Sequence, residues 1–183
     1  MDRRELLKLI AAATGCAMIG MPKLIYGYNQ PAPKPHNDFT ADEVAKLDEI
    51  AETILPRTDT PGAKDAGCGL FMAQFVTDCY TPEEQATFRG GLAAIDTRTQ
   101  GRFMQMKPEE QTELFRTLHA ELKAPEVKGA PPKPHYFTMF KQLTLFAFFT
   151  SEVGATKVLR YVPIPGRYDG DMPYEPGMPA WAT

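Results

Sequence analysis

Apolar positions recur at helical spacing along most of the chain. Thr40-Ala-Asp-Glu43 has the form of a capping box, and Val44, Leu47, Ile50, Ala51 and Ile54 follow it on one stripe. This predicts a first helix over about 41–55. Leu70, Phe71, Phe75 and Val76 mark a second helix that ends near Tyr80. Thr81-Pro82-Glu83-Glu84 is another strong start, with a Thr cap, Pro at the first helical position and a Glu that can return to the cap. Phe88, Leu92 and Ile95 continue its buried stripe. Pro108-Glu109-Glu110 opens a fourth helix through Leu114, Phe115, Leu118 and Leu122. The run Tyr136–Phe149 is apolar nearly all round: Tyr136, Phe137, Phe140, Leu143, Leu145, Phe146, Phe148 and Phe149 leave it hardly any polar face. Such a helix is either central or turned toward a partner. Strand alternation of useful length is missing, as is any internal repeat. The expected class is all-α, a small bundle of about five helices.

Between the first two helices lies Ile54-Leu55-Pro56-Arg57-Thr58-Asp59-Thr60-Pro61-Gly62-Ala63-Lys64-Asp65-Ala66-Gly67-Cys68. Pro56 stops the preceding run, and Pro61-Gly62 is a turn dipeptide. Asp65 stands where a new helix would start, and Gly67 and Gly69 permit close backbone packing. The stretch reads as an ordered elbow, with direct ligand contact as the alternative. Pro31–Pro35 and Pro125–Pro134 are extended connectors. Beyond Arg160, five prolines and three glycines fall between 163 and 179, yet Tyr161, Tyr168, Tyr174 and Trp181 remain. Disordered tails are poor in aromatics, so this arm is expected to lie along a surface, its own or another protein's. The resulting division is 1–30 export signal, 31–38 linker, 39–160 helical domain and 161–183 extended arm.

The first residues change the picture of where the chain works. Met-Asp-Arg-Arg-Glu-Leu-Leu-Lys precedes the uncharged run Leu9–Met21, a basic start and a modest apolar stretch. That run is shorter than the ~20 apolar residues that span a bilayer. Arg3-Arg4 followed by Glu5-Leu6-Leu7-Lys8 resembles a twin-arginine export address, with Leu6 where Phe is more usual. An ordinary amphipathic helix that happens to carry two arginines is the competing reading. Ala13-Thr14-Gly15-Cys16 faintly resembles a lipoprotein site, and no clear Ala-x-Ala cleavage site follows. The whole chain carries 20 basic and 23 acidic residues. Residues 1–30 hold Arg3, Arg4, Lys8 and Lys23 against Asp2 and Glu5, so the remainder has 16 basic and 21 acidic residues, a net charge of −5. A mildly acidic body has no field for gripping phosphate backbones, which argues against nucleic acid as a partner.

Chemical signatures are sparse. Gly67-x-Gly69-x-x-Met72 lacks the third glycine and the preceding strand of a dinucleotide fingerprint. His36, His119 and His135 have no second ligand at metal spacing. Glu83-Glu84 and Glu109-Glu110 occupy first helical turns, where they complement the helix dipole. Ser151 lacks a nucleophile-elbow context. Cys68 and Cys79, eleven residues apart, would lie ~16 Å apart along one continuous helix, too far to bridge. These residues offer no catalytic, cofactor-binding or metal set.

The elbow also carries a resemblance. Ile-Leu-Pro-Arg-Thr-Asp-Thr-Pro-Gly-Ala-x-x-Ala-Gly is similar to the signature loop of the gluconate 2-dehydrogenase subunit 3 family, and Arg160–Gly170 is the second specific piece. The similarity runs from about Phe39 to Trp181 apart from the proline connectors. It implies a small helical, non-catalytic subunit of an FAD-dependent oxidoreductase acting on CH–OH groups of sugars. The large partner would be a flavoprotein of the glucose–methanol–choline type. FAD would then sit in the partner and none in this chain, with a cytochrome c or quinone as electron acceptor. The C-terminal pattern looks closer to relatives paired with glucoside 3-dehydrogenases than with gluconate enzymes. Many relatives place Cys after Tyr-Asp-Gly, where this chain has Asp171, so no covalent link through the arm is implied. A periplasmic location follows, by the twin-arginine route and with the inner membrane reached through the complex. The expected interface comprises Phe146, Phe149, Arg160, Tyr161, Pro165, Arg167, Tyr168 and Trp181. A free-standing periplasmic binding or adaptor protein on the same fold is the competing class. An independent small enzyme ranks last, because no catalytic set is visible.

Overall fold

The computed structural model describes residues 37–122, 135–164, 166, 170–173 and 175–182. Within them five α-helices follow in order: α1 (Ala41–Ile54), α2 (Cys68–Cys79), α3 (Pro82–Thr99), α4 (Pro108–Leu122) and α5 (Tyr136–Thr150). The all-α class read from the periodicity holds, and the limits of α1 and α5 and the starts of α3 and α4 fall within two residues of those expected. Residues 1–30 and the connector 125–134 lie outside the described residues.

The two capping boxes explain where α1 and α3 begin. Thr40 Oγ1 accepts from Glu43 N at 3.2 Å while Glu43 Oε2 accepts from Thr40 N at 2.8 Å. Thr81 and Glu84 repeat the exchange at 3.3 and 2.9 Å, with Pro82 in the first turn. Each reciprocal pair satisfies two N–H groups that a helix start leaves unbonded. α3 stops where Gln100 and Gly101 turn left-handed, at φ 53° and 72°.

The elbow between α1 and α2 is closed by carboxylates on α1. Glu52 accepts from Arg57 N at 2.8 Å and from Lys64 N at 2.9 Å, one oxygen to each. Ala63 N donates to Leu55 O at 3.0 Å, which brings the two ends of the loop together. Gly62 sits against this staple: a Cβ there would come 2.5 Å from both Arg57 N and Glu52 Oε1. Asp65 does not open α2, as the sequence suggested. It lies in a short 3-10 turn (Lys64–Ala66), accepts from Gly62 N at 2.8 Å and pairs with Arg57. α2 instead begins after Gly67, at φ 64°, and its Gly69 N is capped from another helix by Asp48 Oδ1 at 2.7 Å. The elbow side chains thus hold the loop itself together, as the ordered-elbow reading expected.

The core forms where these helices meet. Phe88, Phe103, Phe140, Phe148, Leu47, Ile50, Met72, Ile95 and Leu118 are fully buried, each contributing ~1.5–3 kcal/mol relative to exposure. Phe88 and Phe140 pack edge-to-face with centroids 4.7 Å apart, joining α3 to α5. Close approach of these two helices needs Gly91, because a Cβ there would lie 2.6 Å from Tyr136. Lys46 pairs with Asp96 at 2.7 Å across α1 and α3. Arg98 makes a two-pronged bond to Glu121 of α4, each prong 2.8 Å. A 3-10 turn over Phe103–Gln105, not foreseen from the sequence, buries Phe103 and bonds its carbonyl to Gln111 Nε2 at 3.0 Å.

After α5 the chain makes a π-type turn (Gly154–Val158) and enters a two-residue strand, β1 (Arg160–Tyr161). β1 pairs in parallel with β2 (Trp181–Ala182), Arg160 opposite Trp181 and Tyr161 opposite Ala182. Arg160 N donates to Ala180 O at 2.8 Å and Val162 N to Ala182 O at 2.9 Å.

Candidate functional site

α5 resolves the ambiguity of an all-round apolar helix by serving both sides. Phe137, Met139, Phe140, Leu143, Ala147 and Phe148 face the core. Leu145, Phe146 and Phe149, offset by one helical step, stay 42%, 47% and 37% exposed. α2 behaves in the same way. Cys68, Met72, Ala73 and Val76 are buried, whereas Leu70 is exposed and Phe71 and Phe75 are only half-buried.

These outer faces adjoin. Phe146 lies 5.6 Å from both Phe71 and Phe75, measured between ring centroids, and Phe71 and Phe75 stack at 5.8 Å. Phe75 continues to Tyr80 at 5.8 Å. Asp78 is the lone charged residue of α2, and no charge occurs on α5 after Lys141. The result is an aromatic surface spread over two helices, with exposed Asp78 at its edge on the same stripe as Phe71 and Phe75. Burial pushes the Tyr80 hydroxyl above the ordinary tyrosine range, with the Glu84 carboxylate adding to the effect.

The expected interface residues fall into two groups. Phe146 and Phe149 are on the α5 part of this surface, Phe146 among the α2 rings and Phe149 against Phe148 at 5.2 Å. Arg160, Tyr161 and Trp181 are in the ladder, where the Arg160 guanidinium stands 4.0 Å over the Trp181 ring. Among the described residues no ring contact joins the two groups. Arg3, Arg4, Cys16, Pro165, Arg167 and Tyr168 lie outside the described residues. Phe71 and Phe75, which were not among the expected residues, border Phe146 in this surface. Their signal was present in the sequence: α2 carries apolar residues on two faces, and only one of them, with Gly69 and Ala73, is small enough for close packing.

Two titratable groups at the start of α2 are perturbed by their surroundings, Cys68 and the Asp48 that caps the helix. Burial, then the Asp48 and Glu52 carboxylates, pushes the Cys68 thiol up to about 12, so the thiolate is scarce at neutral pH. Cys79 is exposed at the far end of α2, and both thiols are free. Burial also raises the Asp48 carboxyl above its usual range, despite its bond from Gly69 N. Among the described residues no group of three or more His, Cys, Asp or Glu is placed to hold a metal ion, and no helix is long and apolar enough to cross a membrane. What the arrangement offers is a cluster of aromatic side chains left partly exposed on two adjoining helices. Exposed apolar area of this kind usually marks an interaction site.

Comparison with curated proteins and with solved structures finds no match. Over residues 41–166, more than half of the chain and including every helix described above, it matches the protein-family model for gluconate 2-dehydrogenase subunit 3. The chain therefore belongs to the gluconate 2-dehydrogenase subunit 3 family and is a small subunit of an oxidoreductase complex.

Proposed function

We propose that this chain is the non-catalytic accessory subunit of an FAD-dependent sugar dehydrogenase, and that it docks on the large flavoprotein subunit through the α2–α5 aromatic face. The observation that carries this reading is the partly exposed aromatic cluster of Phe71, Phe75 and Phe146, which joins two helices at the surface. Covering it removes apolar area from water at ~25 cal/mol per Å². Aromatic residues at such a centre are those whose loss costs a complex most. The flavin and the oxidation of a glucoside or sugar acid belong to a partner of the glucose–methanol–choline type, which passes electrons to a cytochrome c or quinone. This subunit supports the partner's folding, stability and export. Arg3 and Arg4 are the address, read by a route that carries folded cargo to the periplasm. Membrane association comes through the complex.

Two experiments test this. Phe146→Ser removes one half-exposed ring and its two edge contacts, each worth ~0.5–1.5 kcal/mol, so the isolated subunit stays folded. Binding to the large subunit should weaken at least tenfold, ~1.4 kcal/mol. Unchanged co-purification would reject the docking face. Replacing both Arg3 and Arg4 with Lys should leave the subunit and its partner in the cytoplasm, and normal periplasmic yield of both would reject the export role.

A further inference from the structure

A groove of about 210 Å³ lies away from the aromatic face, where the C-terminal end of α1 meets α4 and α5. Its apolar wall is formed by Ile54, Phe115 and Phe137, the two rings 5.2 Å apart. Its polar rim is cationic. Lys141 Nζ is 3.3 Å from His119 Nδ1, and Arg116 completes the lining. Lys141 is half-buried, yet among the described residues no carboxylate lies within ion-pair distance of it. Ammonium groups withdrawn from water ordinarily have an anionic partner. Arg116 reaches only Glu113, at 3.4 Å and with both side chains largely exposed, a pair weak enough to be exchanged for a better anion. The hydroxyls of Thr53 and Thr112 are already spent on the carbonyls of Glu49 and Pro108, each at 2.8 Å. The donors left to a ligand are therefore charged nitrogens, and its remaining contacts are with rings and aliphatic carbon.

We propose that this groove binds a carboxylate attached to a small apolar body, the carboxylate on Lys141 and Arg116 and the body against Phe115 and Phe137. The volume corresponds to roughly seven waters at ~30 Å³ each. That is below the ~300–1,000 Å³ of pockets for drug-sized ligands and suits one ring or short aliphatic chain with its carboxylate. Two sources present this chemistry: a free aromatic or aliphatic acid, and the C-terminal residue of a polypeptide ending in an apolar side chain. A polyhydroxy acid has the charge but would leave its hydroxyls against the rings.

Titration of the full chain with benzoate, gluconate, benzyl alcohol, and a hexapeptide ending in Phe as free acid or C-terminal amide tests the site, read by amide chemical shifts and calorimetry. Benzoate should shift the amides around Lys141 and His119 and bind at least tenfold more tightly than gluconate or benzyl alcohol. Lys141→Met keeps the aliphatic stem and should weaken benzoate at least tenfold, with a melt that confirms the fold. A free-acid peptide tighter than both its amide and benzoate identifies a polypeptide C-terminus as the occupant; benzoate tighter than the peptide identifies a free acid. Equal binding of benzyl alcohol, tighter binding of gluconate, or no binding by either benzoate or the free-acid peptide at millimolar concentration would overturn the proposal. None of these readouts involves the dehydrogenase partner, so they stand or fall apart from the docking face.

Discussion

Replacing Glu52 by alanine takes away the carboxylate that staples the elbow. Its two oxygens accept from Arg57 N at 2.8 Å and Lys64 N at 2.9 Å. A hydrogen bond to a charged group contributes ~1.5–3 kcal/mol when well shielded. Here the loop from Pro56 to Thr60 is exposed, and the released N–H groups can rehydrate, so ~1 kcal/mol each is the better figure, ~2 kcal/mol in total. For a chain of this size each kcal/mol moves the melting temperature by ~2–4 °C, giving a fall of ~4–8 °C. Glu52→Gln keeps one acceptor and should lose about half as much. Gly62→Ala attacks the same staple from the other side, because its Cβ would meet Glu52 Oε1 and Arg57 N at 2.5 Å. Since both changes remove the same bonds, the double variant should cost ~1 kcal/mol less than the sum of the two singles. Thermal melts followed by circular dichroism on the parent and these four variants are sufficient. A Glu52→Ala melt within a degree of the parent, or strict additivity with Gly62→Ala, would show that the staple does not hold the elbow.

Other expectations follow from the same structure. Phe88→Ala, at a fully buried ring packed on Phe140 at 4.7 Å, should cost ~3–5 kcal/mol in denaturant unfolding, as large core deletions do. Iodoacetamide at pH 8 should label exposed Cys79 in the native chain and spare Cys68, whose thiol is held near about 12; mass spectrometry of the peptides distinguishes them. The Arg57 guanidinium, with Gly62 N, holds the Asp65 carboxyl below its usual range. Its contribution is therefore present above the unfolded value of ~3.9 and lost as pH falls through the folded one. Asp65→Asn should melt lower than the parent at pH 6, with the gap closing toward pH 2.5. Asp48, raised by burial, has the opposite sign, so Asp48→Asn should compare more favourably with the parent at pH 6 than at pH 3. Deleting residues 163–183 should leave the helices folded and weaken the complex at least tenfold, ~1.4 kcal/mol, by pull-down; a collapsed melt of the truncated chain, or an unchanged pull-down, would contradict this.

What the sequence disclosed was what is decided locally. Thr40 with Glu43 and Thr81 with Glu84 are three residues apart, so the helix starts could be read directly. Glu52 was invisible as a staple because its partners lie five and twelve residues on, and nothing in the intervening residues specifies how the loop returns. Asp65 looked like a helix cap for the same reason: its partner could equally be a following N–H or, as found, the turn behind it. Periodicity placed Phe71 and Phe75 on a helix without saying which of two apolar faces is inside. That choice is made by the close approach of α1, where a Cβ at Gly69 would meet Asp48 at 2.6 Å. The Lys141–His119 groove joins residues 22 positions apart on different helices and leaves no local pattern.

The ladder between β1 and β2 closes a ring of about twenty residues. For such a length the loop-closure entropy comes to about 2.7 kcal/mol, from ~(3/2)RT ln n. Against it stand two backbone hydrogen bonds, together ~1–3 kcal/mol, and one exposed guanidinium–indole contact of ~0.5–1 kcal/mol. The two sides are of similar size, so the ladder adds little net stability of its own. A contact available only to the closed form, worth no more than ~1.4 kcal/mol, would raise its ratio to the open form tenfold. The Arg160 guanidinium over the Trp181 ring is therefore, among the described residues, one of only three small attractive contributions that hold the two ends of the arm together.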